Sequence, residues 1–427
     1  MNLSPGQQSA VDLMQGRRNV FLSGMAGTGK STALLAFIAQ SFRPVDVCAT
    51  TGIAALNLQQ QFQEKSGISL PAHTVYRWAG IALGPARGQT AENYYRFLTT
   101  GRMPFSRQNA FARIRRCECL VIDEISMLPG ATLDYLDFHF RTVRENPSPF
   151  GGIQLIAVGD FCQLPPVAKD GKYDWAFLSR SWSDAGFLPA FLDQIHRQDE
   201  PDFIAALNSF RDGRIDSAVA ATLAKRVKMF VDRRVVRLMT HNAQVNKWNT
   251  YQIGEIDTPE RIYEAEFTGP EHEAEFLAKN SITPASLTLK EGARVMVTAN
   301  ITTPEGHLEA VNGQCGTVAY MNGGTVDVRL DNGPTITVTP RKWTFDPQKD
   351  DTGSMTQIPL RPAYALTIHK SQGLTLDSAH IDIRAAREPG QAYVALSRLR
   401  SLRGLHLKDW IKGVHVSEAA INFYRNL

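Results

Sequence analysis

Short, largely apolar runs followed by polar residues recur through the first 190 residues. The runs at 19–22, 119–122 and 153–158 are typical of strands buried on both faces of a parallel sheet. The apolar stretch 32–38 predicts a helix soon after the first of these strands. Because the carboxyl ends of parallel strands meet at one edge, this alternation predicts an α/β fold with a ligand at that edge.

The second half of the chain has its own α/β alternation. Strands are predicted at 235–240, 363–367 and 379–383, and helices around 202–210 and 391–397. The pattern indicates a second α/β lobe.

Between residues 289 and 345 the pattern changes to short strands with alternating apolar and polar positions. The predicted strands are 294–297, 316–320, 325–330 and 335–338. Asn-Gly-Gly at 322–324 and Asp-Asn-Gly at 331–333 are hairpin-turn signals. This stretch predicts a small β-barrel inserted into the second lobe.

The turn after the first strand carries the most specific chemical signal. Residues 24–31 read Gly-Met-Ala-Gly-Thr-Gly-Lys-Ser, the pattern G-x-x-x-x-G-K-[ST] of a phosphate-binding loop. Its backbone would surround the phosphates of a nucleotide at a helix N-terminus, through Gly27, Thr28, Gly29, Lys30, Ser31 and Thr32. The Lys30 ammonium would reach the β- and γ-phosphates, and the Ser31 hydroxyl would bind Mg²⁺.

Polar residues at two further strand ends fit hydrolysis of that nucleotide. Asp123 and Glu124 follow the run 119–122, so Asp123 would complete the Mg²⁺ shell and Glu124 would polarise the attacking water. The alternative is an acidic pair that stabilises a helix N-terminus. Gln163 follows the run 153–158 and would lie near the γ-phosphate.

Composition is that of a globular protein. The 427 residues are 43% hydrophobic and 21% charged, with a net charge of +4 that neither requires nor excludes nucleic acid. The sequence shows no apolar run of membrane-spanning length and no signal-peptide pattern, which predicts a cytoplasmic protein. Five scattered cysteines argue against a disulfide framework, and Cys117-x-Cys119 is better explained by buried thiols than by a metal site.

The order of motifs resembles superfamily 1B helicases of the Pif-one type, which are related to the RecD and Dda helicases. The matching segments are 3–7 (Q motif), 24–31 (I), 49–55 (Ia), 73–74 with Trp78 (Ib), 123–127 (II), 159–167 (III), 192–198 (IV), 365–377 (V) and 393–398 (VI). Gly6 departs from the pattern, since many relatives carry Glu there.

The resemblance implies roles for further residues. Gln7 would read adenine, and Gly373 would contact the nucleotide. Arg197 and Arg398, both expected on the second lobe, would stabilise transition-state charge when a cleft closes, although an isolated arginine more often forms a surface salt bridge. Contacts to DNA are implied for Thr51, His73, Thr74, Thr240, His241, Asn242, Thr367, His369 and Lys370.

The family's fold implies two RecA-like P-loop domains. The first would cover 1–190 with a small wedge insert at about 75–113, and the second would cover 191–288 and 356–427. An SH3-like β-barrel would occupy 289–355 and hold DNA and the wedge, unless it is only a structural cover. The wedge would split the duplex, and its Tyr94, Tyr95 and Phe97 would either stack on bases or form a small core.

We therefore expect a monomeric ATP- and Mg²⁺-dependent 5′-to-3′ DNA helicase with roles in DNA repair, recombination or replication. Its expected partners are single-stranded DNA and forked or 5′-tailed duplex DNA, with RNA–DNA hybrids and G-quadruplexes as further candidates and no membrane. If prokaryotic or phage-encoded, it would be cytoplasmic and nucleoid-associated. The alternatives are a translocase that strips proteins or acts on RNA without efficient duplex opening, a nucleotide-gated binding module, and the motor subunit of a nuclease complex.

Overall fold

The chain forms two compact units in a computed structural model. The structure describes residues 3–71, 73–81, 90–99, 105–168, 171–227, 231–233, 235–302, 308–346, 351–409 and 413–427. The first unit comprises Met1–Phe62, Ala72–Arg197 and Val416–Leu427, and the second comprises Gln63–Pro71 and Gln198–His415.

The first unit is built on a five-stranded sheet. Its strands are β1 (Val20–Gly24), β2 (Val45–Ala49), β3 (Cys119–Asp123), β4 (Gln154–Val158) and β5 (Leu188–Leu192). They are all parallel, in the order β2-β3-β4-β1-β5. Every residue of β1 and β4 is buried, which explains their continuous apolar sequences. The parallel α/β architecture predicted from the sequence is confirmed.

Helices of the first unit begin at recognisable signals. They are α1 (Pro5–Gln15), α2 (Lys30–Gln40), α3 (Gly52–Ser66), α4 (Val75–Ala79), α5 (Ala91–Thr99), α6 (Phe105–Arg116), α7 (Gly130–Arg144) and α8 (Arg180–Ala185). The last turn of α3, from residue 63 onward, belongs to the second unit. Ser4 and Gln7 form a capping box at the start of α1, with Pro5 in its first turn. In contrast, α2 begins after Gly29 with no side-chain cap, which leaves its N-terminal N–H groups available to an anion.

The helices of the second unit are α9 (Pro201–Asp212), α10 (Ser217–Ala224), α11 (Asn242–Gly254), α12 (Glu271–Asn280) and α13 (Gln391–Leu396). A second parallel sheet has the order β19-β6-β20-β21, formed by β6 (Val236–Met239), β19 (Ala365–Thr367), β20 (Ala379–Ile381) and β21 (Leu405–Leu407). The predicted second α/β lobe therefore has a parallel sheet of its own.

The predicted β-rich stretch forms an antiparallel sheet in the second unit. Its order is β15-β14-β13-β10-β18, formed by β10 (Arg294–Val297), β13 (Cys315–Met321), β14 (Val326–Leu330), β15 (Thr335–Val338) and β18 (Leu360–Pro362). Smaller sheets pair β7 (Glu260–Glu264) with β9 (Ser286–Lys290), β11 (Ile301–Thr302) with β12 (Leu308–Ala310), and β17 (Ser354–Gln357) with both β16 (Arg341–Thr344) and β8 (Glu266–Thr268). The pairing of β18 with β10 carries this sheet past residue 355, the boundary expected from the sequence.

Three chain segments lie in a different unit from the one expected. Residues 191–197 belong to the first unit, because β5 pairs with β1 and a boundary at 190 would divide that strand. Helix α14 (Glu418–Arg425) also belongs to the first unit, where Phe423 stacks on Phe177 with ring centroids 4.5 Å apart. Residues 63–71 belong to the second unit, in which Glu64 accepts a hydrogen bond from the Asn300 N–H at 3.2 Å.

Part of the expected wedge lies outside the described residues. This applies to the Gly- and Arg-rich stretch 84–88, to Arg102, and to the side chains of Tyr94, Phe97 and Arg107. Tyr95 is described, and its ring lies 5.8 Å from the Phe138 ring at the edge of the first unit's core. Of the two expected roles for this tyrosine, packing is the one that its contacts support.

All five cysteines are buried free thiols, which includes the predicted burial of Cys117 and Cys119. Burial raises the pKa of Cys119 to about 12, so this thiol is protonated and unreactive at neutral pH. Within the described ranges, no cluster of three or more His, Cys, Asp or Glu side chains has the arrangement of a metal site. In the same ranges, no helix has the length and apolar character needed to cross a membrane.

Candidate nucleotide site and nucleic-acid-binding residues

The phosphate-binding loop connects β1 to α2, as its sequence predicts. Gly29 precedes α2 with φ of 82°, and a side chain there would overlap the amide of Gln7. A side chain at Gly24 would overlap the carbonyl oxygen of Leu192. These glycines are therefore required both for backbone conformation and for close packing.

Lys30 is the first residue of α2, and its side chain contacts the backbone of the loop. Its ammonium donates hydrogen bonds to the carbonyl oxygens of Gly24 at 2.7 Å and Met25 at 3.1 Å. Burial lowers the pKa of Lys30, while the charges of Asp160, Glu124 and Asp123 oppose that shift. The loop lysine thus lies within electrostatic reach of three carboxylates.

Asp123 and Glu124 stand at the carboxyl end of β3. Glu124 has a left-handed backbone (φ 54°, ψ 43°), and its N–H donates to Asp123 Oδ1 at 2.9 Å. The Thr50 hydroxyl donates to the Glu124 carbonyl oxygen at 2.9 Å. Burial, followed by the neighbouring Glu124 carboxylate, raises the pKa of Asp123 to about 7. A single 3-10 turn, Ile125–Met127, begins directly after Glu124, but neither acid caps it through a side-chain hydrogen bond. A strained non-glycine residue beside a half-buried carboxyl is also typical of a functional site.

The segment after β4 carries Asp160 and Gln163, both buried. Asp160 Oδ1 accepts from the Cys162 N–H at 3.1 Å, and its carbonyl oxygen accepts from the Gln163 N–H at 2.9 Å. Because β4 lies between β3 and β1 in the sheet, this turn stands between the acidic pair and the phosphate-binding loop.

The donor set at this edge fits a magnesium ion carried by a nucleotide. A half-buried carboxyl (Asp123) and a hydroxyl in the first turn of α2 (Ser31) are hard oxygen ligands. Mg²⁺ is usually held by one or two such groups together with substrate phosphates and water.

Gln7 is positioned on the loop itself. Its side-chain nitrogen donates to the carbonyl oxygen of Thr28 at 3.3 Å, and its side-chain oxygen accepts from the Ser4 N–H at 3.0 Å. The structure therefore brings Gln7 next to Thr28 and Gly29.

Arg197 occupies a different place from the one expected. It lies in the first unit, and its charge contributes to lowering the pKa of Lys30. The preceding residue, His196, donates its N–H to the carbonyl oxygen of Gly27 at 2.9 Å. The expectation that this arginine belongs to the second lobe is wrong, because edge strand β5 carries the chain back to the loop.

Arg398 lies in the second unit, at the end of α13, and is 3% exposed. Its Nε donates to the Val394 carbonyl oxygen at 3.0 Å, and its guanidinium also donates to Ser397 Oγ at 2.8 Å. Gln198, which the sequence analysis did not single out, donates from its side chain to the carbonyl oxygens of Leu399 at 2.6 Å and Ser397 at 3.4 Å. The backbone on both sides of Arg398 is thereby fixed.

Gly373 lies in the turn after β19. It is exposed and has φ of 79°, a conformation that favours glycine.

The expected DNA contacts of the first unit gather near the end of β2. Thr51 Oγ1 accepts from the Ala54 N–H at 3.2 Å, and Thr74 Oγ1 accepts from the Arg77 N–H at 3.3 Å and caps α4. The carbonyl oxygen of His73 accepts from the Ala49 N–H at 3.1 Å, but the residue is only 9% exposed. His73 is therefore less accessible to a phosphate than a surface histidine would be.

The expected DNA contacts of the second unit lie at the ends of two neighbouring strands. Thr240, His241 and Asn242 follow β6, and Thr367, His369 and Lys370 end or follow β19, which pairs with β6 in parallel. His241 and Asn242 are exposed, whereas Thr367 is buried.

Thr367 Oγ1 accepts a hydrogen bond from the Lys370 N–H at 3.2 Å and so shapes the turn. Burial lowers the pKa values of His369 and Lys370, and the charge of Arg361 lowers that of Lys370 further. The charge of Glu388, 3.9 Å from His369 Nε2, opposes the lowering of the His369 pKa.

Comparisons with known proteins agree with this arrangement. The family described as the AAA domain matches residues 2–230. The "ATP-dependent DNA helicase Pif1" of Bdellovibrio bacteriovorus is 35% identical over 100% of this chain and 92% of its own. This chain belongs to the Pif1 helicase family. The Pif-one resemblance inferred from the motifs is thereby confirmed.

Solved structures of Pif1 helicases share the fold along the whole chain. Bacteroides sp Pif1 in complex with ADP-AlF4 is 32% identical, with a TM-score of 0.81 over 100% of this chain and 97% of that one. Bacteroides Pif1 in complex with ADP-AlF3 and single-stranded DNA is 33% identical, with a TM-score of 0.66 over the same shares.

Two interacting residues of the first unit escaped the sequence analysis. Ser23 and Tyr424 lie 401 positions apart, yet their hydroxyl oxygens are 2.7 Å apart. No pattern in the sequence signals this pair.

Proposed function

We propose that this Pif1-family chain is an ATP-dependent DNA helicase that moves 5′ to 3′ on single-stranded DNA and unwinds duplex ahead of it. The observation that carries the proposal is Lys30, held in a phosphate-binding loop within reach of Asp123, Glu124 and Asp160. That arrangement suits a triphosphate with its metal ion and a hydrolytic water.

In this proposal the loop residues Gly27 to Thr32 hold the phosphates, and Gln7 faces the base. The Ser31 hydroxyl and the Asp123 carboxylate would hold Mg²⁺, which would supply charge neutralisation at the phosphates. Glu124 orients the attacking water and accepts its proton. Gln163 lies near the γ-phosphate, in the turn after β4.

The two arginines have separate roles. Arg197 stabilises phosphate charge from within the first unit, close to Lys30. Arg398 belongs to the second unit and supplies positive charge to the γ-phosphoryl group in the transition state. Gly373 contributes to nucleotide binding from the same unit.

DNA is held mainly through its backbone, as a translocating enzyme requires, because phosphate contacts carry no sequence information. In the first unit the contacts are Thr51, His73 and Thr74. In the second unit they are Thr240, His241, Asn242, Thr367, His369 and Lys370. The exposed positions beside β6, together with the partly buried Lys370, support this assignment.

The family's organisation completes the proposal. The parallel sheets would belong to two RecA-like domains, the antiparallel sheet to an SH3-like barrel, and the segment around α5 and α6 to a wedge. We propose that the substrates are forked or 5′-tailed duplexes, with RNA–DNA hybrids and G-quadruplexes as further candidates. Repair, recombination or replication would be the setting, and a monomer the working form.

The test is strand displacement with 5′-tailed, 3′-tailed and blunt duplexes of identical sequence, with ATP and Mg²⁺. The expected result is efficient unwinding from the 5′ tail alone. Unwinding from the 3′ tail alone would overturn the direction. DNA-stimulated ATP hydrolysis without unwinding of any duplex would favour the protein-displacing translocase.

A further inference from the structure

Helix α14 returns to the first unit and packs against the sheet beside the phosphate-binding loop. The Phe423 ring lies 4.5 Å from the Phe177 ring, 5.3 Å from Phe161 and 5.8 Å from Phe21, measured between centroids. This aromatic cluster fixes the position of the helix.

The next residue, Tyr424, contributes a polar contact of a different kind. Its phenolic oxygen accepts a hydrogen bond from the Phe161 N–H at 3.0 Å and lies 2.7 Å from Ser23 Oγ. A phenol can both accept and donate, so it accepts from the Phe161 N–H and shares an O–H···O hydrogen bond with Ser23 in which either hydroxyl can donate.

The two partners of this phenol belong to different parts of the nucleotide site. Ser23 immediately precedes Gly24, whose carbonyl oxygen accepts from the Lys30 ammonium. Phe161 immediately follows Asp160 in the turn that leads to Gln163. Strands β1 and β4, which end in these turns, are neighbours in the sheet.

The geometry points to a positioning role: we propose that the Tyr424 hydroxyl sets the spacing between the phosphate-binding loop and the turn carrying Asp160 and Gln163. This inference rests on the proposed ATPase activity. Ser23 and Phe161 are almost fully buried, so water replaces the phenol poorly and its loss lets the two turns move apart. Hydrolysis requires Lys30 and Gln163 to act on one phosphoryl group, and a small misplacement slows such a reaction strongly.

The aromatic packing and the hydroxyl contacts can be separated experimentally. Tyr424→Phe removes the hydroxyl and retains the ring, which contacts Phe423 and Phe21. Phe423→Leu weakens the cluster and leaves the hydroxyl in place. Phe423 has no polar contact with the loop, so this variant is the matched control for stability.

The experiment measures steady-state ATP hydrolysis by the full chain at saturating oligo(dT), together with the thermal unfolding midpoint. Tyr424→Phe is expected to lower kcat by about tenfold, with KM for ATP changed less than about twofold. Phe423→Leu is expected to lower the unfolding midpoint at least as much as Tyr424→Phe does, while its kcat stays within about twofold of wild type. Ser23→Ala is expected to lower kcat less in the Tyr424→Phe background than in the wild type, because the two residues share one contact.

The outcomes are distinguishable. If the wild type shows no DNA-stimulated ATP hydrolysis, the proposed function fails. If the wild type is active and Tyr424→Phe retains its kcat, or if Phe423→Leu lowers kcat equally, the positioning role alone is overturned.

Discussion

The side-chain nitrogen of Gln198 donates a hydrogen bond to the carbonyl oxygen of Leu399 at 2.6 Å, one residue beyond Arg398. With its second contact, to the Ser397 carbonyl oxygen, the buried Gln198 side chain fixes the backbone on both sides of that arginine. The guanidinium is in turn held by Val394 and Ser397. The position of Arg398 within the second unit is therefore fixed, and its proposed role as a transition-state ligand requires such pre-organisation.

Replacing Arg398 by alanine is expected to lower kcat for ATP hydrolysis by about 100-fold or more, because its partner charge develops mainly in the transition state. The affinity for ATP should change only slightly. Arg400→Ala is the matched control, since Arg400 is exposed and pairs with Asp377 at 3.5 Å. A collapse of ATP binding with normal turnover per bound ATP would instead make Arg398 a ground-state ligand.

Lys30→Ala should abolish ATP hydrolysis and leave binding of single-stranded DNA nearly intact. The ammonium donates to the carbonyl oxygens of Gly24 and Met25 within the phosphate-binding loop, and neither residue is an expected DNA contact. ATPase measurements of the purified variant check the loss of hydrolysis, and DNA titrations check that binding is retained. Residual hydrolysis above roughly 5% of wild type would refute the assignment, since a lysine on the β- and γ-phosphates supplies essential charge stabilisation.

Glu124→Gln should still bind ATP and Mg²⁺ but turn over about 100-fold more slowly, the usual scale for a lost general base. Glu118→Gln is the matched control, because Glu118 is exposed and precedes β3 at its opposite end. A nucleotide-binding assay measures ATP binding, and single-turnover kinetics measure the hydrolysis step separately. Normal turnover in Glu124→Gln would place the base elsewhere.

Lys370→Ala should weaken binding of single-stranded DNA and reduce the slope of log affinity against log salt by about one, as expected for one lost phosphate contact. Lys225→Ala removes an exposed lysine from the same unit and should leave the slope unchanged. An unaltered slope in Lys370→Ala would remove this lysine from the DNA path.

The same contact should depend on pH. Burial, and then Arg361, lower the pKa of Lys370 from its ordinary value of 10.5, so the ammonium loses its proton at a lower pH than a surface lysine. Since the charged form binds phosphate, affinity should fall as pH rises through that lowered pKa. Lys370→Arg retains its charge in this range and should lose less affinity. Filter binding of single-stranded DNA between neutral and alkaline pH tests this dependence. Parallel curves of affinity against pH for the wild type and Lys370→Arg would contradict it.

Local sequence was sufficient to predict where the residues of the candidate nucleotide site lie. The glycines and Lys30 of the phosphate-binding loop, the acidic pair after β3 and the turn after β4 all lie where their sequence predicts, at the carboxyl edge of one parallel sheet. The positions of these residues were predictable because each set directly follows a strand that the sequence marks by an apolar run. Turn chemistry and the apolar run that predicts a buried strand are both readable from neighbouring residues.

Only the tertiary structure decided which distant segments meet. The pairing of β5 with β1 assigns Arg197 to the first unit, and helix α14 brings Tyr424 to Ser23 across 401 positions. The contact of Gln198 with the carbonyl oxygens beside Arg398 spans about 200 positions. Periodicity indicates that a segment has an apolar face, but the surface that covers this face depends on shape complementarity and on backbone groups left to be paired. Those conditions exist only once the whole unit has folded.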